Sequence, residues 1–155
     1  MQFDWQVRAA CGYAELGMMR ECMAELDAIE PRLQKRPEVI QLRLTYFMQR
    51  KRWNQALDLS RKLCRVAPDS TIGFLHAGYC LHQLGKTAAA KELLMRGPVS
   101  LLKEPIYYYN MGCYDALLGN VGEAKANLQI SFKMDASFRD IAKRDPDLKA
   151  LQGAI

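Results

Sequence analysis

Apolar side chains recur along most of this chain at i, i+3 and i+4, the spacing that turns one face of an α-helix toward a core. Met19, Cys22, Met23, Leu26 and Ile29 share one such face; Ile40, Leu44 and Phe47 share another; Trp53, Ala56, Leu57, Leu63 and Cys64 share a third. The pattern is interrupted at Gly17, Glu30-Pro31, Gly85-Lys86, Gly97-Pro98 and Gly119-Asn120. The breaks predict helices in pairs. The first pair covers residues 4–16, with Asp4 as N-cap, and 19–30, where the residue before Pro31 avoids the helical region. Pro37 suits the first turn of the next helix. Stretch 74–95 reads as two helices around a tight turn, and the stretches beside it repeat the arrangement. Ala56, Ala90 and Ala124 stand 34 residues apart, as do Lys51, Gly85 and Gly119, and Leu44, Gly78 and Gly112. A helix-turn-helix unit at a fixed period marks a helical solenoid.

The register divides the chain into one domain of four units, about 3–36, 37–70, 71–104 and 105–138, followed by a terminal helix over about 139–152. Each unit carries its own local expectations. Ser60 replaces the leucine of the other units and predicts looser packing. Asp69 or Ser70 caps the first helix of unit three. The second helix of that unit stops early at Gly97-Pro98, leaving a loop or short turn tethered by Leu101 and Leu102. In unit four, Tyr108, Met111, Gly112 and Leu118 form one packing face, and Val121, Ala124, Leu128, Ser131 and Phe132 the other. Asp145-Pro146 pairs a capping aspartate with a proline at the first helical position. Leu148 and Leu151 then face inward, and Asp140, Lys143, Lys149 and Gln152 face water, covering the open end of the array.

These columns resemble the tetratricopeptide repeat. The matching residues are Gly78 and Gly112 in first helices, Gly17, Gly85 and Gly119 at turns, Ala56, Ala90 and Ala124 in second helices, Pro68 at a closing position and Trp53 in the aromatic column. Cys22 and Ala10 in unit one, Lys51 at the turn of unit two and Asp115 in an aromatic column of unit four depart from the pattern. The resemblance implies an all-α, right-handed superhelix whose first helices line a concave groove. It places Gln41, Thr45, Met48, Leu75, Tyr79, His82, Tyr109 and Asn110 in that groove as partner-binding residues, with Val7, Cys11 and Cys113 beside them. The expected function is a protein–protein interaction scaffold that binds a partner segment there. A secretion-type chaperone holding a client is the alternative in the same structural class. The columns that grip chaperone tails elsewhere in the family hold Val7, Cys11, Leu42, Ile72 and His76, an unsuitable set for a carboxylate.

Composition narrows the class. The chain has 155 residues, half of them apolar and a quarter charged, as in a soluble globular domain with its own core. No apolar run is long enough to span a membrane, and the N-terminal residues do not read as a secretory signal. Five cysteines with no CxxC pair predict free thiols in a reducing, cytoplasmic setting. The net charge of +5 is uneven. Its excess sits in unit two, in Arg50, Lys51 and Arg52 and in Arg61, Lys62 and Arg65. This cluster offers a second alternative, binding of nucleic acid or an acidic partner.

Catalysis finds little support. His76 and Cys80 share a helix face, but no third group orients the imidazole and no glycine-rich oxyanion loop is present. His76, Cys80 and His82 do not have zinc spacing. No enzyme activity, metal or cofactor is expected. The apolar groove also leaves room for self-association or for the chain's own terminal helix.

Overall fold

The computed structural model describes residues 1–155 as nine α-helices without a strand. The helices are α1 (Gln2–Glu15), α2 (Met19–Asp27), α3 (Pro37–Gln49), α4 (Trp53–Val66), α5 (Thr71–Gln83), α6 (Thr87–Met95), α7 (Pro105–Leu117), α8 (Val121–Met134) and α9 (Ser137–Ala142). Short 3-10 turns cover Pro31–Leu33, Val99–Lys103 and Pro146–Leu151. α1 to α8 pack as four consecutive antiparallel pairs, and each pair leans on the next to form an α-solenoid.

The small-residue columns explain the stacking. Ala56, Ala90 and Ala124 are fully buried. A Cβ on Gly112 would lie 2.7 Å from Leu128 Cγ, so only glycine lets α7 approach α8 this closely. At the turns, Lys51 takes the left-handed φ of 55° that glycine takes at Gly85 and Gly119. That costs a non-glycine residue about 1 kcal/mol.

Several local expectations change. α1 begins at Gln2, so Asp4 lies inside its first turn and provides no cap hydrogen bond. α2 ends at Asp27 because side chains take over its last carbonyls. Gln34 Nε2 donates to Leu26 O (2.7 Å) and Ile29 O (2.8 Å), and Gln6 Nε2 donates to Ala28 O (3.2 Å). Ser60 does not loosen unit two. It is fully buried and donates to Ala56 O (2.8 Å), and its small volume admits Gly73 of α5. A Cβ on Gly73 would meet Cys64 N at 2.9 Å and Ser60 O at 3.1 Å. Leu118, Val121 and Leu102 are exposed rather than packed, whereas Leu101 is buried. Ser70, not Asp69, caps α5 by accepting from Ile72 N.

The single terminal helix resolves into α9 and the separate 3-10 turn Pro146–Leu151. Asp145 Oδ1 accepts from Asp147 N (2.9 Å), and Leu148 and Leu151 are buried where this turn packs on α7. Lys143 pairs with Asp140 on the outside.

The core is divided. One hydrophobic cluster runs from Ile40 through Leu151 and joins the last three pairs to the C-terminal segment. A smaller one holds Ala10, Cys22, Leu26, Ile29 and Val39. Val39 and Ile40 are neighbours on α3 yet serve different clusters, so the first pair meets the rest at a seam.

Candidate functional site

α3, α5 and α7 each contribute a first-helix face to the inner side of the array. A cavity of about 530 Å3 opens there. Met48 enters it from α3, Leu75, His76 and Tyr79 from α5, and Ile106, Tyr109 and Asn110 from α7. The remaining wall comes from Phe138 and Ile141 of α9 and from Asp145. The C-terminal segment is therefore one side of the cavity and leaves its centre open.

The walls differ in how firmly they are held. Tyr109 is buried, donates its hydroxyl to Asp145 Oδ2 (2.6 Å) and lies 5.1 Å from the Phe138 ring. Burial, then the hydrogen bond to Asp145, pushes the Tyr109 pKa up, so it stays a neutral donor. Tyr79 is 38% exposed, with its ring edge-on to Trp53 at 5.7 Å. Its pKa is raised by burial and by Asp147 and Asp145. His76 Nδ1 donates to Ile72 O (2.8 Å) within its own helix. The half-buried Asn110 amide makes no hydrogen bond within the protein and keeps its donor and acceptor capacity.

Of the sequence-predicted groove residues, Met48, Leu75, Tyr79, Tyr109 and Asn110 line this cavity. Gln41 and Thr45 lie outside it on α3. Gln41 is exposed, and Thr45 Oγ1 donates back to Gln41 O (3.1 Å). His82 is drawn away altogether. Its Nε2 meets Asp147 Oδ2 at 2.7 Å, its Nδ1 meets Thr87 Oγ1 at 3.0 Å, and its ring lies 5.0 Å from that of Tyr114. Only 9% of the His82 side chain is exposed. It clamps the C-terminal turn onto α5 and is not a groove contact. Sequence reasoning missed Ile106, Phe138, Ile141 and Asp145. The Leu148 and Leu151 stripe left open that the terminal helix enters the groove, but the wall is made instead by Phe138, Ile141 and Asp145, for which the Asp145-Pro146 pair was the available signal.

The side chains considered for chemistry are otherwise engaged. Cys80 is buried, its thiol donates to Met48 sulfur (3.4 Å), and burial pushes its pKa up to about 11, away from an activated nucleophile. Nowhere do three or more His, Cys, Asp or Glu side chains converge as metal ligands would. All five cysteines are free thiols. No helix is long and apolar enough to cross a membrane. The basic residues of unit two do not form one cluster. Arg52 immediately precedes α4, whereas Lys62 lies about 15 Å further along its axis at 1.5 Å rise per residue.

Four stacked helix pairs in a 34-residue register, closed by buried alanines and interfacial glycines, define a tetratricopeptide-type α-solenoid. A solved structure of the tetratricopeptide-containing protein MamA (MSR-1 C2) shares this fold. It matches 85% of this chain and 76% of its own with a TM-score of 0.68, at 15% identity. No family model and no curated protein matches the chain.

Proposed function

We propose that this protein binds a segment of a partner protein in the cavity between α3, α5, α7 and α9. One observation carries the reading: an open, mainly apolar cavity presents the exposed Tyr79 ring beside the unpartnered Asn110 amide. An apolar or aromatic anchor fits against Met48, Leu75, Ile106 and Ile141, and Asn110 can bond a peptide group of the bound segment. The walls are set before binding by the Tyr109–Asp145 hydrogen bond and the His82 clamp, so the ordering cost falls on the partner. No catalytic step is assigned to the site.

The test is capture from a lysate of the source organism at about 0.15 and 0.5 M salt, where surface charge is progressively screened. Wild-type protein is compared with Tyr79→Ala and Leu75→Glu, each checked for helicity. A partner retained at the higher salt and lost from both variants is expected. Truncating a central aromatic anchor costs about 2 kcal/mol or more, roughly a thirtyfold loss of affinity. A partner captured equally by wild type and both variants would overturn the reading.

A further inference from the structure

The seam between the first and second helix pairs carries a separate cleft of about 460 Å3. It lies between the connection after α2, α3 and the C-terminal half of α4. Four cations line it: Lys35, Arg43, Lys62 and Arg65. Its apolar surface comes from Ile40, Leu59 and Val66, and no acidic residue is part of the lining.

The four cations come from three chain segments, so neither periodicity nor the basic run of unit two revealed the grouping. Leu59, Lys62 and Val66 share one face of α4 at helical spacing. Arg43 is held in place: its Nη2 donates to Asp27 Oδ1 (2.8 Å) and to Gln34 Oε1 (2.9 Å). Gln34 is itself anchored on the α2 carbonyls. The Nε and Nη1 donors of Arg43 make no hydrogen bond within the protein, and its side chain is 20% exposed. Lys35, Lys62 and Arg65 form no ion pair, and the one carboxylate that meets the group, Asp27, is itself largely exposed. A concave, partly apolar wall strengthens the field of such a group relative to the same charges on an open surface.

We infer that this cleft is a second docking surface, specific for an acidic peptide segment that carries an aliphatic side chain among its carboxylates. The carboxylates pair with Lys35, Lys62 and Arg65 and with the free donors of Arg43. The aliphatic side chain covers Leu59 and Val66. Charge complementarity selects an anion, and the apolar floor selects a peptide over a nucleic acid. The lining contains no aromatic ring on which a base could stack. The cleft is independent of the inner cavity and shares no residue with it.

Fluorescence anisotropy tests this with a labelled peptide of alternating Asp and Glu around one central leucine, in about 0.05 and 0.5 M salt. Companion probes are the same peptide with its leucine replaced by glycine, and a single-stranded oligouridylate. Wild type and Tyr79→Ala should bind the leucine peptide equally, and the glycine peptide should bind several-fold more weakly. The doubly reversed variant Lys62→Glu/Arg65→Glu should lose at least tenfold in affinity, and the higher salt should weaken the wild-type complex by a similar factor. Unchanged binding by the charge-reversed variant, or no saturable binding, overturns the proposal. So does oligouridylate binding more tightly than the peptide. Sedimentation covers the remaining occupant: a wild-type dimer at low salt, abolished by the same reversal, would assign the cleft to a second copy of the chain and also overturn it.

Discussion

Asp115 should be among the most costly surface-adjacent residues to lose. It occupies a column where the repeat resemblance calls for an aromatic ring, and its carboxylate is fully buried. Oδ1 accepts from Lys91 Nζ (2.6 Å) and Asn120 Nδ2 (3.1 Å), and Oδ2 accepts from Asn127 Nδ2 (3.2 Å). One side chain therefore ties together α6, α7, the following turn and α8. Asp115→Ala removes three hydrogen bonds, one of them to a cation. Breaking a buried ion pair costs about 3–5 kcal/mol. The lower end applies here, because Lys91 keeps Glu123 at 3.0 Å and retains some exposure, and Asn120 can turn to water. The expected loss is about 3 kcal/mol, or roughly 1.5 M in urea midpoint for a slope near 2 kcal/mol/M. Trp53 fluorescence reports it from α4. The paired replacement Lys91→Met/Asp115→Leu should recover most of the loss, since an apolar pair of similar volume avoids desolvating two charges. A shift below about 0.5 M for Asp115→Ala at unchanged slope would show that the network contributes no more than a solvated surface pair.

Three further perturbations separate packing, polar burial and ionisation. Gly73→Ala should destabilise by about 1–2 kcal/mol, because overpacking against the Cys64 and Ser60 backbone exceeds the helix propensity gained, whereas Gly122→Ala, with nothing within 4 Å, should be neutral or slightly stabilising; thermal melts of both variants check the contrast. Tyr114→Phe should be neutral or up to about 1 kcal/mol stabilising, since its buried hydroxyl has no partner, while Tyr109→Phe should cost about 1–2 kcal/mol by leaving Asp145 without that donor; urea titrations that reversed this order would contradict the hydrogen-bond assignment. Alkaline pH should destabilise the fold, because burial raises the Cys80 pKa from 9.0 to about 11 and also raises those of Tyr109, Cys113 and Tyr114. The native state then holds protons that the unfolded chain gives up, so stability is complete below about pH 9 and declines as pH rises through the Cys80 window. Melting temperatures that stay flat to pH 11, or a decline that Cys80→Ala leaves unchanged between pH 9 and 11, would refute that attribution.

The repeat architecture was legible because it rests on local rules. Helical periodicity, a 34-residue spacing and small residues at Ala56, Ala90, Ala124, Gly78 and Gly112 all point to the same stacking. What escaped depends on side chains that meet across distant segments. Gln34 reads as a loop residue, yet it terminates α2 and holds Arg43. Asp115 reads as a departure from the repeat, yet it organises three helices. Ser60 reads as a packing defect, although its partner is a glycine thirteen positions on rather than a larger neighbour. The candidate site divides in the same way. The first-helix column indicated Met48, Leu75, Tyr79, Tyr109 and Asn110, but no column indicated that Asp147 would draw His82 out of the groove or that Phe138 and Ile141 would be the terminal-segment residues that supply a wall.

The central claim is that a partner segment lies against Tyr79 in the inner cavity. Photo-crosslinking tests it most directly, with a benzophenone amino acid placed at position 79 in one sample and at the exposed Gln129 of α8 in another. After irradiation in lysate at about 0.5 M salt, the account predicts a discrete crosslinked partner from position 79, absent from position 129 and competed away by unlabelled wild-type protein. Equal crosslinking from both positions, or none from position 79 while a partner is still captured, would contradict it.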